Sequence, residues 1–282
     1  MIDALLFAAG FGTRLRPLTD SIPKALVEIG GMTVLERAIR RIAVLRPGSI
    51  VVNAHHHASQ VEAEVHRLNR VLVSEAESEG APVPPRILVS LEPERPLETG
   101  GGLRHAAPLL GPGHPVLLHN ADVVTELDLS ALVSAHLEGS RDDSSAPAGD
   151  ATPVATLAVQ DRVSSRKLLF DADGLYGRFH VDSGTEERTR TPSGPRRALA
   201  FSGVHIVSPR LVAELPAEGV FSITDHYLAL AGSGARIEAH DIGEASWWEI
   251  GTPERLAAVR RTFSGQSGGV EPSGHSSVGA AD

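Results

Sequence analysis

The chain has 282 residues, 26 Lys plus Arg against 35 Asp plus Glu, a formal net charge of −9, and no cysteine. Without cysteine there is no disulfide framework, thiolate metal site or thiol nucleophile, and an acidic balance speaks against general nucleic-acid binding, which needs clustered cations. With 41% hydrophobic residues the chain buries a substantial core, as one large α/β domain or one domain with a small appendage.

Residues 2–9 form a nearly continuous apolar run ending at Gly10, the pattern of a strand buried on both faces of a parallel sheet. Similar runs fall at 49–53, 86–91 and 115–119. Between them lies helical periodicity. The first such stretch opens on Thr33-Val-Leu-Glu36, a capping-box spacing, and carries Leu35, Ile39, Ile42 and Ala43 on one face. Others cover 58–71, 102–109 and 129–137. Four alternations predict βαβ units around a mostly parallel, Rossmann-like sheet flanked by helices.

The second half is richer in strands, predicted at 154–160, 167–170, 175–180 and 197–207, with helices at 209–214, 222–231 and 253–263. Polar loops at 139–153 and 182–195 are expected to be mobile at their tips. Residues 264–282 read as a disordered Gly/Ser-rich tail. The first residues lack a basic leader, and no apolar run approaches the roughly 20 residues of a membrane span, so a cytoplasmic protein without a membrane partner is expected.

The stretch after the first strand concentrates phosphate-binding chemistry. Gly10 and Gly12 let the backbone approach a ligand closely, and Arg14 and Lys24 set cations beside it, with Arg16 as a third candidate. A Walker loop is absent, and a dinucleotide fingerprint fails because position 15 is Leu. Asp122, just past the fourth strand, sits at the carboxyl end of the sheet, where open α/β folds bind ligands and where a carboxylate can hold Mg²⁺. Glu98-Thr-Gly-Gly-Gly102 reads as a loop preceding a helix, whose amides can face a ligand. Asn53-Ala-His-His-His57 reads as a turn with solvated histidines, since adjacent His residues at a strand end point in different directions.

Gly10-Phe-Gly-Thr-Arg-Leu-Arg-Pro-Leu-Thr19 followed by Pro23-Lys24 resembles the signature of the sugar-1-phosphate nucleotidyltransferases. Three further segments fall in that family's order: Leu97-Glu-Thr-Gly-Gly-Gly-Leu103, Leu118-His-Asn-Ala-Asp122 and Trp248-Glu-Ile-Gly-Thr-Pro-Glu-Arg-Leu256. The combination is most similar to the short branch that holds N-acetylmuramate-1-phosphate uridylyltransferases and mannose-1-phosphate guanylyltransferase-like proteins. The resemblance implies the nucleotide-diphospho-sugar transferase fold in a single domain over 1–263, with a nucleotide-binding half at 1–138 and a small β-rich, sugar-binding half at 153–263. It implies a nucleoside triphosphate and a sugar-1-phosphate as partners and Mg²⁺ as cofactor; oligomeric state stays open.

By the same resemblance Arg14 and Lys24 are catalytic, and Ala8, Ala9, Gly10, Gly12, Thr13, Glu98, Gly100 and Gly101 contact the nucleotide. Asn120, Gly203 and Lys167 contact the sugar, and Asp122 and Glu249 hold the metal. Two departures stand out. Glu249 replaces the family's Asp, and Arg166-Lys167 stand where many relatives carry a Glu-Lys-Pro segment. They motivate a rival reading, a non-catalytic nucleotide-sugar sensor, while a guanylyltransferase for mannose or heptose phosphate is the alternative within the enzyme reading.

Overall fold

The computed structural model describes residues 1–92, 94–139 and 152–264. The first half runs β1 (Asp3–Phe7), a loop of three 3-10 turns (Thr13–Leu15, Leu18–Asp20, Lys24–Leu26), a hairpin of β2 (Glu28–Ile29) and β3 (Met32–Thr33), α1 (Val34–Ala43), β4 (Ser49–Ala54), α2 (Ala58–Glu79), β5 (Arg86–Leu91), α3 (Glu98–Ala106), β6 (Val116–Asn120), β7 (Val123–Thr125) and α4 (Leu129–Gly139). The second half adds β8 (Ala155–Gln160), β9 (Arg166–Asp171), β10 (Gly174–His180), β11 (Thr185–Arg188), β12 (Arg197–Val207), α5 (Pro209–Glu214), α6 (Ile223–Gly232), β13 (Ile237–Asp241), β14 (Trp247–Glu249) and α7 (Pro253–Ser264).

One ten-stranded sheet carries both halves, in the order β11-β10-β9-β12-β6-β1-β4-β5, with β8 on β12 and β13 on β8. The segment β6-β1-β4-β5 is parallel, as the apolar runs predict: Leu5, Leu6, Val51, Val52, Leu117 and Leu118 are fully buried. Helices α1, α2 and α4 cover one face and α3, α5 and α6 the other, each over its own apolar cluster. The second half joins through β12, which is antiparallel to β6, β8 and β9.

Local signals explain most element boundaries. The Thr33 hydroxyl accepts from Glu36 N at 3.0 Å and caps α1. Helix α2 runs past residue 71 to Gly80, a left-handed C-cap at φ 63°; its last two turns carry no buried side chain, so the apolar rhythm stops at Leu72 while the backbone continues.

Two expectations are corrected, and three short strands went unpredicted. The polar stretch 182–195 holds a strand, β11, laddered to β10 from Thr185 to Arg188. Short strands β7, β13 and β14 carry too few apolar residues to announce themselves. And α3 begins at Glu98, so Gly100, Gly101 and Gly102 lie inside a helix rather than before one. Most of the 139–153 loop and the tail expected from 264 lie outside the described residues, apart from Gly139 and Ser264, which end helices, and residues 152 and 153. No described helix is long and apolar enough to cross a membrane.

Candidate active site

Parallel strands β1 and β6 end side by side, so Ala8–Gly10 and Ala121–Asp122 emerge at the carboxyl edge of the sheet. Asn53, at the end of the neighbouring strand, stitches this edge. Its Oδ1 accepts from Ala8 N (2.6 Å) and Ala9 N (3.2 Å), and its Nδ2 donates to Glu92 Oε1 (2.6 Å). Glu92 Oε2 accepts in turn from Leu97 N at 2.7 Å, tying the start of α3 to the same network. Burial pushes the Glu92 carboxyl above the ordinary range, opposed by those two hydrogen bonds.

The loop after β1 is held by packing. Leu15 is buried with Val27, Ile29, Val124, Ile250, Leu256 and Val259 in a small separate cluster, which anchors its neighbour Arg14 beside β14. Gly12 takes φ +62°, and its carbonyl accepts from the Thr19 hydroxyl at 2.8 Å. A Cβ there would meet Thr19 Cγ2 at 2.9 Å and Lys24 Cβ at 3.2 Å, so glycine is demanded by the fold. A Cβ on Gly10 would meet nothing within 4 Å, so the protein itself makes no such demand there.

Pro23 opens the turn that delivers Lys24, whose Nζ donates to Asp122 Oδ2. Glu249 is brought next to Asp122 by the β7–β14 ladder: Glu249 pairs with Val123, and Ile250 N donates to Asp122 O at 3.1 Å. Its carboxylate lies between two guanidinium groups, Arg14 at 3.0 Å and Arg255.

Two adjoining cavities share this edge. The smaller, about 310 Å³, is lined by Ala8, Ala9, Gly10, Lys24, Asn53 and Glu92 among others. The larger, about 800 Å³, is lined by Arg14, Arg162, Lys167, Gly203, Trp247 and Glu249 among others. Glu98, Asn120 and Asp122 face both. Glu98 stands at φ +60°, a strained conformation for a residue with a Cβ.

Residues 3–152 match the family model described as Nucleotidyl transferase. The chain is 33% identical over 269 residues to an N-acetylmuramate alpha-1-phosphate uridylyltransferase of Caulobacter vibrioides, covering 92% of this chain and 96% of that one. The chain belongs to the nucleotidyl transferase family. A second relative, the enzyme of the same description from Neisseria meningitidis, is 32% identical over 62% of this chain and 75% of its own. Among solved structures, a UDP-glucose pyrophosphorylase from Acinetobacter baumanii superposes with a TM-score of 0.69 at 17% identity, covering 95% of both chains. HddC from Yersinia pseudotuberculosis gives 0.65 at 20% identity, over 93% of this chain and all of that one. These two share the fold, a mixed central sheet between helical layers. The chain is thus a sugar-1-phosphate nucleotidyltransferase.

Of the residues the sequence singled out, the transferase brings Ala8, Ala9, Gly10, Arg14, Lys24, Glu98, Asn120, Asp122, Lys167, Gly203 and Glu249 to the two cavities. Gly12, Thr13, Gly100 and Gly101 line neither. Gly100 and Gly101 serve helix packing instead, since both amides donate to Phe221 O, at 2.9 and 3.4 Å, and are not free to face a ligand. A Cβ on Gly100 would sit 2.2 Å from the Phe221 ring, and one on Gly101 2.6 Å from Gly219 O. Gly100→Ala should therefore lower stability by about 1–3 kcal/mol through overpacking, a drop of about 2–12 °C in Tm at this size. Thermal melting by circular dichroism checks it; an unchanged Tm would mean the ring swings aside freely.

The three histidines are not simply solvated. His55, His56 and His57 face the carbonyls of Glu92, Thr19 and Asp20 at 3.2–3.3 Å and pin the loop to the sheet edge. His119 is buried, its Nδ1 donates to Asn120 O at 2.8 Å, and burial pulls its pKa to about 4, so it is neutral in the working range. Sequence reasoning gave no role to Asn53, read only as the start of the histidine turn, nor to Glu92, Arg162 and Trp247, which carry no motif. Arg255 lay unremarked inside the Gly-Thr-Pro-Glu-Arg-Leu segment.

Proposed function

We propose that this transferase joins a uridylyl group to N-acetylmuramate 1-phosphate, releasing pyrophosphate. The observation that carries the reading is the 33% identity to the Caulobacter enzyme across 96% of that enzyme's length. The smaller cavity suits the nucleotide. Open space at Gly10, where the fold needs no glycine, supports close approach of a phosphate to the backbone there. The larger cavity, on the strand-rich half, suits the sugar phosphate, with Asn120, Gly203 and Lys167 on its wall.

An oxygen of the sugar 1-phosphate attacks the α-phosphorus of the triphosphate in line, and the bond to the bridging oxygen of pyrophosphate breaks. The nucleophile is already ionised near neutral pH, because the second phosphate pKa is about 6, so no general base is needed. Arg14 and Lys24 bind and orient the phosphates and neutralise charge on the transferring group.

The carboxylates fit a hard divalent cation. Asp122, in the turn before β7, and Glu249, on β14 paired with β7, are oxygen donors facing one cavity, and Mg²⁺ takes one or two carboxylates with phosphate oxygens and water. Asp122 and Glu249 would hold it by exchanging Lys24, Arg14 and Arg255 for the ion. A divalent cation held by Asp122 and Glu249 would supply Lewis-acid stabilisation of phosphoryl charge. In the absence of the ion, Arg14 and Arg255 hold the Glu249 carboxylate from two sides.

Glu249→Gln should raise the Mg²⁺ concentration for half-maximal rate by at least about tenfold; an unchanged Mg²⁺ titration would remove Glu249 from the metal site. The decisive experiment for the substrates is a matrix of UTP, GTP, CTP and dTTP against N-acetylmuramate, N-acetylglucosamine, glucose and mannose 1-phosphates, read by pyrophosphate release. UTP with N-acetylmuramate 1-phosphate should give the highest kcat/KM. A higher value for GTP with mannose 1-phosphate would overturn the substrate assignment, and nucleotide binding with no turnover anywhere would favour a sensor.

A further inference from the structure

Six cationic side chains line the larger cavity: Arg14, Arg162, Arg166, Lys167, Arg178 and Arg255. Four have carboxylate partners. Arg14 and Arg255 share Glu249, Lys167 pairs with Asp161 at 2.9 Å, and Arg178 lies between Asp225 (2.7 Å) and Glu187 (2.8 Å). Arg166 opens β9 at the exposed surface, where water solvates its charge.

Arg162 is different from all of these. Its guanidinium carbon sits over the Trp247 ring, 3.5 Å from the centroid, and the group donates to Phe201 O at 2.9 Å and Val163 O at 3.4 Å. Its Nε is buried without a partner, and no carboxylate forms an ion pair with it among the described residues. The charges that reach it from further away, Glu249 and Arg255, oppose one another, and burial disfavours its charged form. The platform beneath it is rigid, since Trp247 Nε1 donates to Ser202 O at 2.7 Å. Trp247 and Glu249 are two residues apart on β14 and so lie on the same side of that strand. The guanidinium therefore stands near the Glu249 end of the cavity.

A half-buried, immobilised cation with one buried N–H unpartnered and no carboxylate in contact is poorly compensated on its own. It becomes favourable when an anion arrives, and the planar fork matches phosphate geometry. Arg162 follows β8 in the strand-rich half and lines the larger cavity beside Gly203 and Lys167, not the smaller one beside the Gly10–Lys24 loop. The anion is therefore assigned to the sugar phosphate, and the triphosphate, which Arg14 also meets from the larger cavity, is the rival that the UTP KM separates. We propose that Arg162, braced on Trp247, is the anchor for the 1-phosphate of the sugar substrate. Lys167, whose ammonium pairs with Asp161, would have to give up that partner first, whereas Arg162 has no carboxylate to release. This inference rests on the sugar-1-phosphate transfer reading.

The test uses the full chain as wild type, Arg162→Lys and Arg162→Met. In Arg162→Met the KM for N-acetylmuramate 1-phosphate should rise about 10- to 100-fold, the loss expected for charge-assisted hydrogen bonds, while the KM for UTP stays within about twofold. Arg162→Lys should recover part of the loss. The chain has two tryptophans, Trp247 and Trp248, so their emission reports directly on this platform. Titration with N-acetylglucosamine 1-phosphate or inorganic phosphate should shift it saturably in the wild type and not in Arg162→Met. Equal rises in both KM values, an unchanged sugar-phosphate KM, or an emission response absent from the wild type or surviving in Arg162→Met would each overturn the proposal. If no substrate pair turns over, the transfer reading fails, yet the emission titration still decides the anion site. If Arg162→Met melts early, Arg162→Lys carries the same comparison.

Discussion

Lys24→Ala should lower kcat/KM by about three orders of magnitude while leaving the fold intact. Lys24 sits in a 3-10 turn at the rim of the smaller cavity, with its ammonium on Asp122 and only 14% of its side chain exposed. At such a partly desolvated position, losing one cation that stabilises developing phosphoryl charge costs about 10²–10³ in rate, and up to about 10⁵ where one arginine carries the load. The turn itself is held by backbone bonds from Leu26 N to Pro23 O and Val27 N to Lys24 O, which the substitution spares. Pyrophosphate release beside a circular dichroism melt checks both halves of the expectation. Near wild-type release from the folded variant would remove Lys24 from the chemistry.

Gly203→Ala is expected to damage stability and sugar-phosphate affinity together. Gly203 lies in β12 where the ladder to β8 shifts register between Phe201 and His205, and it adopts φ +76°. An L-residue there costs about 1–2 kcal/mol in backbone strain alone. Its Cβ would also stand 2.7 Å from Asn120 Nδ2, a side chain facing both cavities. A further penalty of about 1–3 kcal/mol for the overlap makes the total about 2–5 kcal/mol, or a Tm drop of about 4–20 °C. Asn120 must move, so the KM for the sugar phosphate should rise even at temperatures where the variant is folded. A Tm within a degree of wild type would show that the strand relaxes without strain.

Much of the first half was legible in advance for a simple reason. Strands buried on both faces and helices with one apolar face write their periods directly into the chain, so 86–91 and the start of α1 match their apolar patterns. The loop from Gly10 to Lys24 was legible because all of its cations and glycines fall within fifteen residues of one another. Where side chains stop being apolar before the backbone changes, as along the end of α2, the pattern stops early. Strand β11, Thr-Glu-Glu-Arg, is exposed throughout and owes its existence to pairing with β10 rather than to its own residues.

The candidate site divides along the same line. By itself the sequence determined the family and the parallel core, and it singled out Arg14, Lys24, Asp122 and Glu249 as candidates, since each lies in a motif whose chemistry is local. Only the tertiary structure decided what those groups touch. Glu249 meets Arg14 across 235 positions of chain, Lys24 meets Asp122 across 98, and Arg162 meets Trp247 through a fold that no spacing announces. Gly100 and Gly101 are the sharpest case. Glycine is a poor helix former, so as sequence they read as a loop that approaches a ligand; in the fold they are a helix whose missing side chains admit Phe221 and Gly219. Periodicity records which face of an element is buried. It does not record which distant element arrives there, and at this site those arrivals set the charge that awaits the substrate.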